Sequence, residues 1–184
     1  MGSVPCRFRV APEIAARCVI LSAVVTGGHD FPRRGLTNWL RLENLWPFTS
    51  ASEREFLESE HPTDHARNQA TWRVEAIVPL LWSLGRLSSL PEPTALCDVP
   101  KVRSLLPELG SSTLAFLETA SARSDEEIWE ALDTVYNARW AVVDAKLHGR
   151  EIPDGLNPGV LRERHIAFNW LTDTIDWDDV TPDT

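Results

Sequence analysis

A chain of 184 residues with a hydrophobic fraction of 43% and a charged fraction of 24% has the size and composition of one globular domain, able to bury about 70% of the surface its unfolded form exposes. Its net charge of −9, with no basic stripe, removes the counterion-release term that drives nucleic-acid binding, so neither DNA nor RNA is an expected partner. Three scattered cysteines, Cys6, Cys18 and Cys97, have no metal-ligand spacing and no even count, which indicates neither a zinc site nor a disulfide framework.

The chain reads as helical from end to end. Residues 1–10 are expected to be irregular. Pro12 to Thr26 forms a first helix with Ile14, Cys18, Leu21 and Val25 on one stripe and Gly27-Gly28 as its stop. Its apolar stretch, Cys18 to Val25, is too short to cross a bilayer and has no convincing cleavage site. A reduced cytoplasmic setting with no membrane contact is therefore expected. Short helices follow over Leu36–Leu45 and, capped by Ser50 or Ser52, over Glu53–Glu58.

His65 to Arg86 is predicted as one long helix, apolar around nearly its whole circumference and therefore central, with a kink at Pro79. Its narrow polar strip carries Glu75, flanked by Trp72 and Trp82. After a proline-rich loop, Asp98 caps a short helix to Leu106, and another runs from Ser111 to Ala120. Ser124-Asp125-Glu126-Glu127 is a capping box that opens a helix to His148, stopped at Gly149. Its apolar arc is wide, taking in Ile128, Trp129, Leu132, Val135, Tyr136, Trp140, Val142, Val143 and Leu147. Asn157-Pro158 starts the last helix, and residues 174–184 form an acidic tail expected to pack back on the core. With no convincing alternation of period two, the expected architecture is a single all-α domain over residues 1–184. Six to eight helices would surround two or three long ones.

Two features of the composition point to a site. Eight tryptophans accompany one tyrosine and six phenylalanines, and each brings a large apolar surface with one N–H that needs a partner when buried. Arginines at two positions also project inward. Arg139 falls in the middle of the apolar arc of its helix, and Arg164 lies between Leu161 and Leu171 in projection. An unpaired buried guanidinium costs several kcal/mol, so carboxylates must meet them. Glu75, Asp144, Glu163 and the tail aspartates are the supply. The candidate polar cluster is thus Glu75, Arg139, Asp144, Glu163, Arg164, His165, Asn169, Asp178 and Asp183, clamped by the tail and walled by Trp72, Trp82, Trp140, Trp170 and Trp177. It serves either to hold the fold or to bind a ligand.

Other chemistry finds little support. His61-Pro-Thr-Asp-His65 is interrupted by Pro62 and lacks the glutamate of a zinc hydrolase motif, and the tail aspartates lack a calcium-loop spacing. There is no GxSxG, no phosphate loop and no GxGxxG. No metal, cofactor or catalytic residue is expected.

Four blocks in combination resemble a known family. They are Trp72 to Gly85 (Trp-Arg-Val-Glu-Ala-Ile-Val-Pro-Leu-Leu-Trp-Ser-Leu-Gly), the Asp125–Gly149 helix with Arg-Trp-Ala-Val-Val-Asp at 139–144, Glu163 to Trp170 (Glu-Arg-His-Ile-Ala-Phe-Asn-Trp), and the ending Trp177 to Thr184 (Trp-Asp-Asp-Val-Thr-Pro-Asp-Thr). The set is similar to a bacterial family designated domain of unknown function 4272, over about Ala11 to the end. The resemblance implies that the acidic ending belongs to the domain, and it carries no catalytic residues with it. The expected role is a non-enzymatic cytoplasmic bacterial protein that binds a protein partner or a small molecule. The alternative is an enzyme or ligand sensor with a Trp-walled polar pocket between the long helices. A third class is a homo-oligomeric structural module.

Overall fold

Helix starts are written locally in the sequence. The Ser50 hydroxyl accepts from the Glu53 amide while the Glu53 carboxylate accepts from the Ser50 amide, and Ser124 and Glu127 repeat the arrangement. Asp98 accepts from the Lys101 amide, and Asn157 from those of Gly159 and Val160. Each satisfies first-turn N–H groups that have no partner inside their helix. The computed structural model describes residues 8–29 and 31–181. Among them there is no strand, and the helices are α1 (Ala11–Gly28), α2 (Arg33–Leu42), α3 (Ala51–Glu58), α4 (Asp64–Trp72), α5 (Val74–Ser83), α6 (Val99–Ser104), α7 (Leu114–Glu118), α8 (Asp125–Leu147) and α9 (Pro158–Leu171). The tail contains one 3-10 turn, Trp177–Asp179.

α1 lies between two apolar clusters. Ile14, Cys18, Leu21 and Val25 join the larger one with α5, α8 and α9, while Val19, Ile20, Ala23 and Val24 join a smaller one with Leu36, Trp39, Leu40 and Leu57. Being covered on opposite sides requires apolar residues nearly all round. The helix is consequently long and apolar enough, by length and composition alone, to cross a membrane, although the stretch from Cys18 to Val25 is not. Here it is a core helix packed on α4 and α5.

Three sequence expectations change. Gly27 and Gly28 do not stop α1 but belong to it. A Cβ on Gly28 would lie 2.9 Å from the Arg67 carbonyl oxygen and 2.8 Å from Thr71 Cγ2, so glycine there lets the α4 backbone approach closely. The single helix predicted over residues 65–86 is two, and the break falls at Arg73 rather than at Pro79, which α5 accommodates. Arg73 keeps right-handed helical angles at the junction, and its side chain reaches Glu163 on α9. Finally, the wide apolar arc of α8 is not all inward. Ile128, Val135, Val142 and Ala145 are buried, whereas Trp129, Tyr136, Trp140 and Leu147 are exposed. α8 packs chiefly on α9, and one main neighbour covers only one stripe.

The tail returns to the core as expected. Trp177 is 4% exposed and meets Trp170 edge to face at 5.8 Å. Trp177→Ala should lower stability by about 3–5 kcal/mol, as truncation of a buried large aromatic does. Trp140→Ala, on the exposed side of α8, should change it by no more than about 0.5 kcal/mol. Urea denaturation of the two variants distinguishes them, and equal losses would contradict the packing described.

Candidate functional site

Three consecutive residues of α9, Glu163, Arg164 and His165, are each at least 98% buried, with relative exposures of 2%, 1% and 1%. Successive residues on a helix point about 100° apart, so each meets a different neighbour. Arg164 faces α5: Nη2 donates to Glu75 Oε2 at 3.4 Å, and Nη1 donates to the Pro91 carbonyl. The other Glu75 oxygen accepts from the Cys97 amide at 2.6 Å. The proline-rich loop therefore closes over this pair at both ends. Burial draws the Arg164 guanidinium below its ordinary value, and the Glu75 charge opposes that. The Cys97 thiol is pushed up to about 12, first by burial and then by the Glu75 charge. It is protonated at neutral pH and is no nucleophile.

Glu163 faces the other way. It accepts from Arg73 at 2.8 Å and from Arg162 at 2.7 Å, which gives each of its oxygens one arginine. The Arg73 guanidinium also lies 5.8 Å from the centre of the Trp177 ring. A third brace was not visible in projection. Arg17 of α1, 6% exposed, donates to both oxygens of Glu53 at 2.8 Å and to the Phe48 carbonyl, and its guanidinium lies 5.0 Å from the Trp177 ring centre. The signal was present in the sequence as the one charge between Ile14 and Val25. Its partner, supplied from a capping box, was not legible.

The predicted cluster is thus divided into separate pairs. Asp178 does not meet the α9 arginines. It accepts from the Ser52 amide at 2.8 Å and hydroxyl at 2.5 Å, tying the tail to the start of α3. Burial raises its carboxyl, but the hydrogen bonds from Ser52 and Ser50 outweigh this and hold it below the usual value. Asp144 sits at the end of α8, paired with Arg150 and with His148, away from Glu75. Asn169 donates to the Thr181 carbonyl at 3.2 Å. Arg139 is half-buried, and its charge reaches His165 rather than a cluster with Glu75. Asp183 lies outside the described residues. Of the expected aromatic wall, Trp170 and Trp177 stand together and Trp82 meets Phe168 edge to face. Trp72 packs on the backbone of Gly159, where a Cβ would come within 2.7 Å of its ring. Trp140 is exposed, because its side of α8 has no neighbour.

Two cavities bear on function. A groove of about 930 Å³ runs between the start of α1, the α2–α3 connection and the tail, walled by Phe48, Trp170, Ile175 and Trp177, with Arg9 and Arg54 among its polar groups. A smaller pocket of about 270 Å³ lies between α8 and α9 and includes His165. Burial first, and the Arg139 charge second, lower the His165 imidazole to about 4, and its Nδ1 has no hydrogen-bond partner. Among the described residues no three His, Cys, Asp or Glu side chains converge as a metal site would require.

An all-helical protein whose inward arginines are braced by carboxylates is the class that fold and site define. The chain belongs to the family described as Domain of unknown function (DUF4272), which matches residues 2–180. The match begins well before Ala11, so residues 2–10 are part of it. No curated protein and no solved structure matches the chain.

Breaking the Glu75–Arg164 pair with Glu75→Gln should cost about 3–5 kcal/mol in urea denaturation, because the guanidinium is left buried without its counter-charge. The double variant Glu75→Leu/Arg164→Met should recover most of that loss, and a double variant as unstable as the single one would contradict a bracing role. His165 supplies a pH test. Its folded value of about 4 lies below the ordinary imidazole value of 6.5, so the unfolded chain binds the proton more readily. The stability this group contributes is complete above about 6.5 and is lost as the pH falls toward about 4. The melting temperature of the wild type should fall more steeply across that window than that of His165→Asn, and parallel curves would refute the assignment.

Proposed function

We propose that this chain is a non-catalytic, single-domain binding protein of the bacterial cytoplasm whose ligand is a small amphipathic molecule held in the groove against the tail. The observation that carries the reading is the groove itself. Its volume of about 930 Å³ falls within the few hundred to about 1,000 Å³ typical of small-molecule sites. Its walls combine the apolar surfaces of Phe48, Trp170 and Ile175 with charges of both signs. Arg9, Arg17 and Arg54 are balanced by Glu13, Glu43 and Asp176. That balance favours a neutral or zwitterionic molecule over a strongly charged one. Nucleic acid and membrane have no role in this reading.

The enzymatic alternative has less support. The Glu75–Arg164 pair that would have served it is closed by the proline-rich loop, and the Cys97 thiol beside it is protonated. Contact with a protein partner is a second reading, favoured by Trp129, Tyr136 and Trp140, which are 52%, 43% and 49% exposed along one helix.

L-Phenylalanine, an aromatic zwitterion, is the probe for the groove. It should bind saturably with one site per chain in isothermal titration. Ala51→Trp places a large side chain in the groove from an exposed position at the start of α3. It should weaken binding about tenfold while leaving the urea midpoint unchanged. Undiminished binding by that variant would remove the groove as the site.

A further inference from the structure

Across the molecule, both in the interior and at the surface, arginines cover aromatic rings. Guanidinium groups of Arg9, Arg17, Arg33, Arg41, Arg73, Arg86 and Arg123 lie 4.6 to 5.9 Å from the centres of Trp170, Trp177, Phe56, Trp46, Phe116 and Trp82. Each is a cation held at the negative face of a ring. The three large rings on the exposed side of α8 differ. Among the described residues no guanidinium lies over Trp129, Tyr136 or Trp140.

Two of these rings line the smaller pocket. Trp129, Leu132, Asp133 and Tyr136 follow the i, i+3, i+4, i+7 spacing of one helix face, and His165 and Asn169 of α9 complete the enclosure of about 270 Å³. The lining contains three aromatic rings, of which Tyr136 and His165 meet edge to face at 5.8 Å, and one carboxylate but no lysine or arginine. Asp133 is held in place by Asn137, whose Nδ2 donates to Oδ2 at 3.0 Å. Oδ1 remains for a ligand. The His165 ring is uncharged at neutral pH, and its Nδ1 has no protein partner. Arg139, the cation whose charge reaches His165, is not among the lining residues.

We infer that the pocket between α8 and α9 is a binding site for a compact organic cation, an alkylated ammonium group seated between Trp129 and Tyr136 and facing Asp133. The ring faces attract the charge without strong hydration competing for it, and the carboxylate adds a direct counter-charge. The same chemistry is offered by a free amine and by a methylated lysine side chain of a partner protein. The site is independent of the groove, so loss of L-phenylalanine binding would not touch it.

Tetramethylammonium is the probe, and tert-butanol is its neutral counterpart of similar size. Binding is read from the indole N–H resonance of Trp129 in a proton–nitrogen correlation spectrum, assigned by its disappearance in Trp129→Ala. Tetramethylammonium should shift that resonance saturably and bind about threefold to fivefold more tightly than tert-butanol, the range expected of an exposed cation–π contact. Asp133→Asn should weaken the cation at least about threefold with little effect on the alcohol. Trp140→Ala, outside the lining, should leave both unchanged. Equal affinity for the two probes, no saturable shift, or an unaltered response in Asp133→Asn would overturn the proposal. Nα-acetyl-trimethyllysine amide separates the two sources. Tighter binding than tetramethylammonium assigns the site to a protein side chain, and equal or weaker binding assigns it to a free amine, either result supporting a cation site.

Discussion

Charged guanidinium groups cannot stay in a low-dielectric interior without a counter-charge and hydrogen-bond acceptors, and that constraint organises this molecule. Arg164 and Arg17 are almost wholly enclosed, at 1% and 6% exposure, so the elements that supply their partners are held to the elements that carry them. Glu75 ties α5 to α9, and Pro91 and Cys97 bring the intervening loop onto the same pair. Glu53 ties α3 to α1. Glu163, taking one arginine on each oxygen, joins α9 to the junction of α4 and α5. Such pairs contribute little net stability over well-packed apolar residues, but losing one partner is costly. Each pair links the helices that carry its two partners, and losing one partner of the pair strains that link.

Tryptophan serves the same braces. Trp177 meets Trp170 edge to face and lies near both Arg17 and Arg73, so one ring of the tail touches two of the three ion pairs. The tail is consequently part of the interior at Trp177 and part of the surface at Asp178, which grips the start of α3. The large groove exists because the tail stands as its wall. On the opposite face of α9, α8 offers rings that no internal cation covers. Several aromatic rings are thus covered by the protein's own arginines, whereas among the described residues Trp129, Tyr136 and Trp140 of α8 are not, and Tyr136 meets His165 edge to face.

Much of this was legible beforehand, and the failures have physical causes. The inward position of Arg164 followed from its angle between Leu161 and Leu171, because a helix buried all round leaves no other place for it. Its pairing with Glu75 belonged to the same expectation. Asp144 and Trp140 lie away from the Glu75 site for one reason: the apolar arc of α8 spans more of the circumference than its main neighbour can bury. Periodicity shows which residues share a face, but not whether a second helix arrives to cover it. Arg73 carries no local signal, because Pro79 is the residue that predicts a kink in a long apolar helix, whereas the break falls at Arg73, whose side chain reaches Glu163. The Arg17–Glu53 pair lay hidden because Glu53 also completes a capping box, and that local role is sufficient to explain it.

Helix starts, the all-helical class and the burial of α9 are short-range properties. They depend on caps such as Ser124 with Glu127, on the absence of alternating patterns, and on apolar residues repeating within a few turns, all contained in contiguous stretches of chain. Which carboxylate meets which arginine, which side of α8 faces water, and where the tail closes a groove are long-range properties. They are decided only when distant helices settle at particular distances and angles. Glu75 and Arg164 stand 89 residues apart, and Ser52 and Asp178 stand 126 apart; no local pattern records such a meeting. The candidate sites belong to this second kind, since each is assembled from segments that become neighbours only after the interior charges have found their partners.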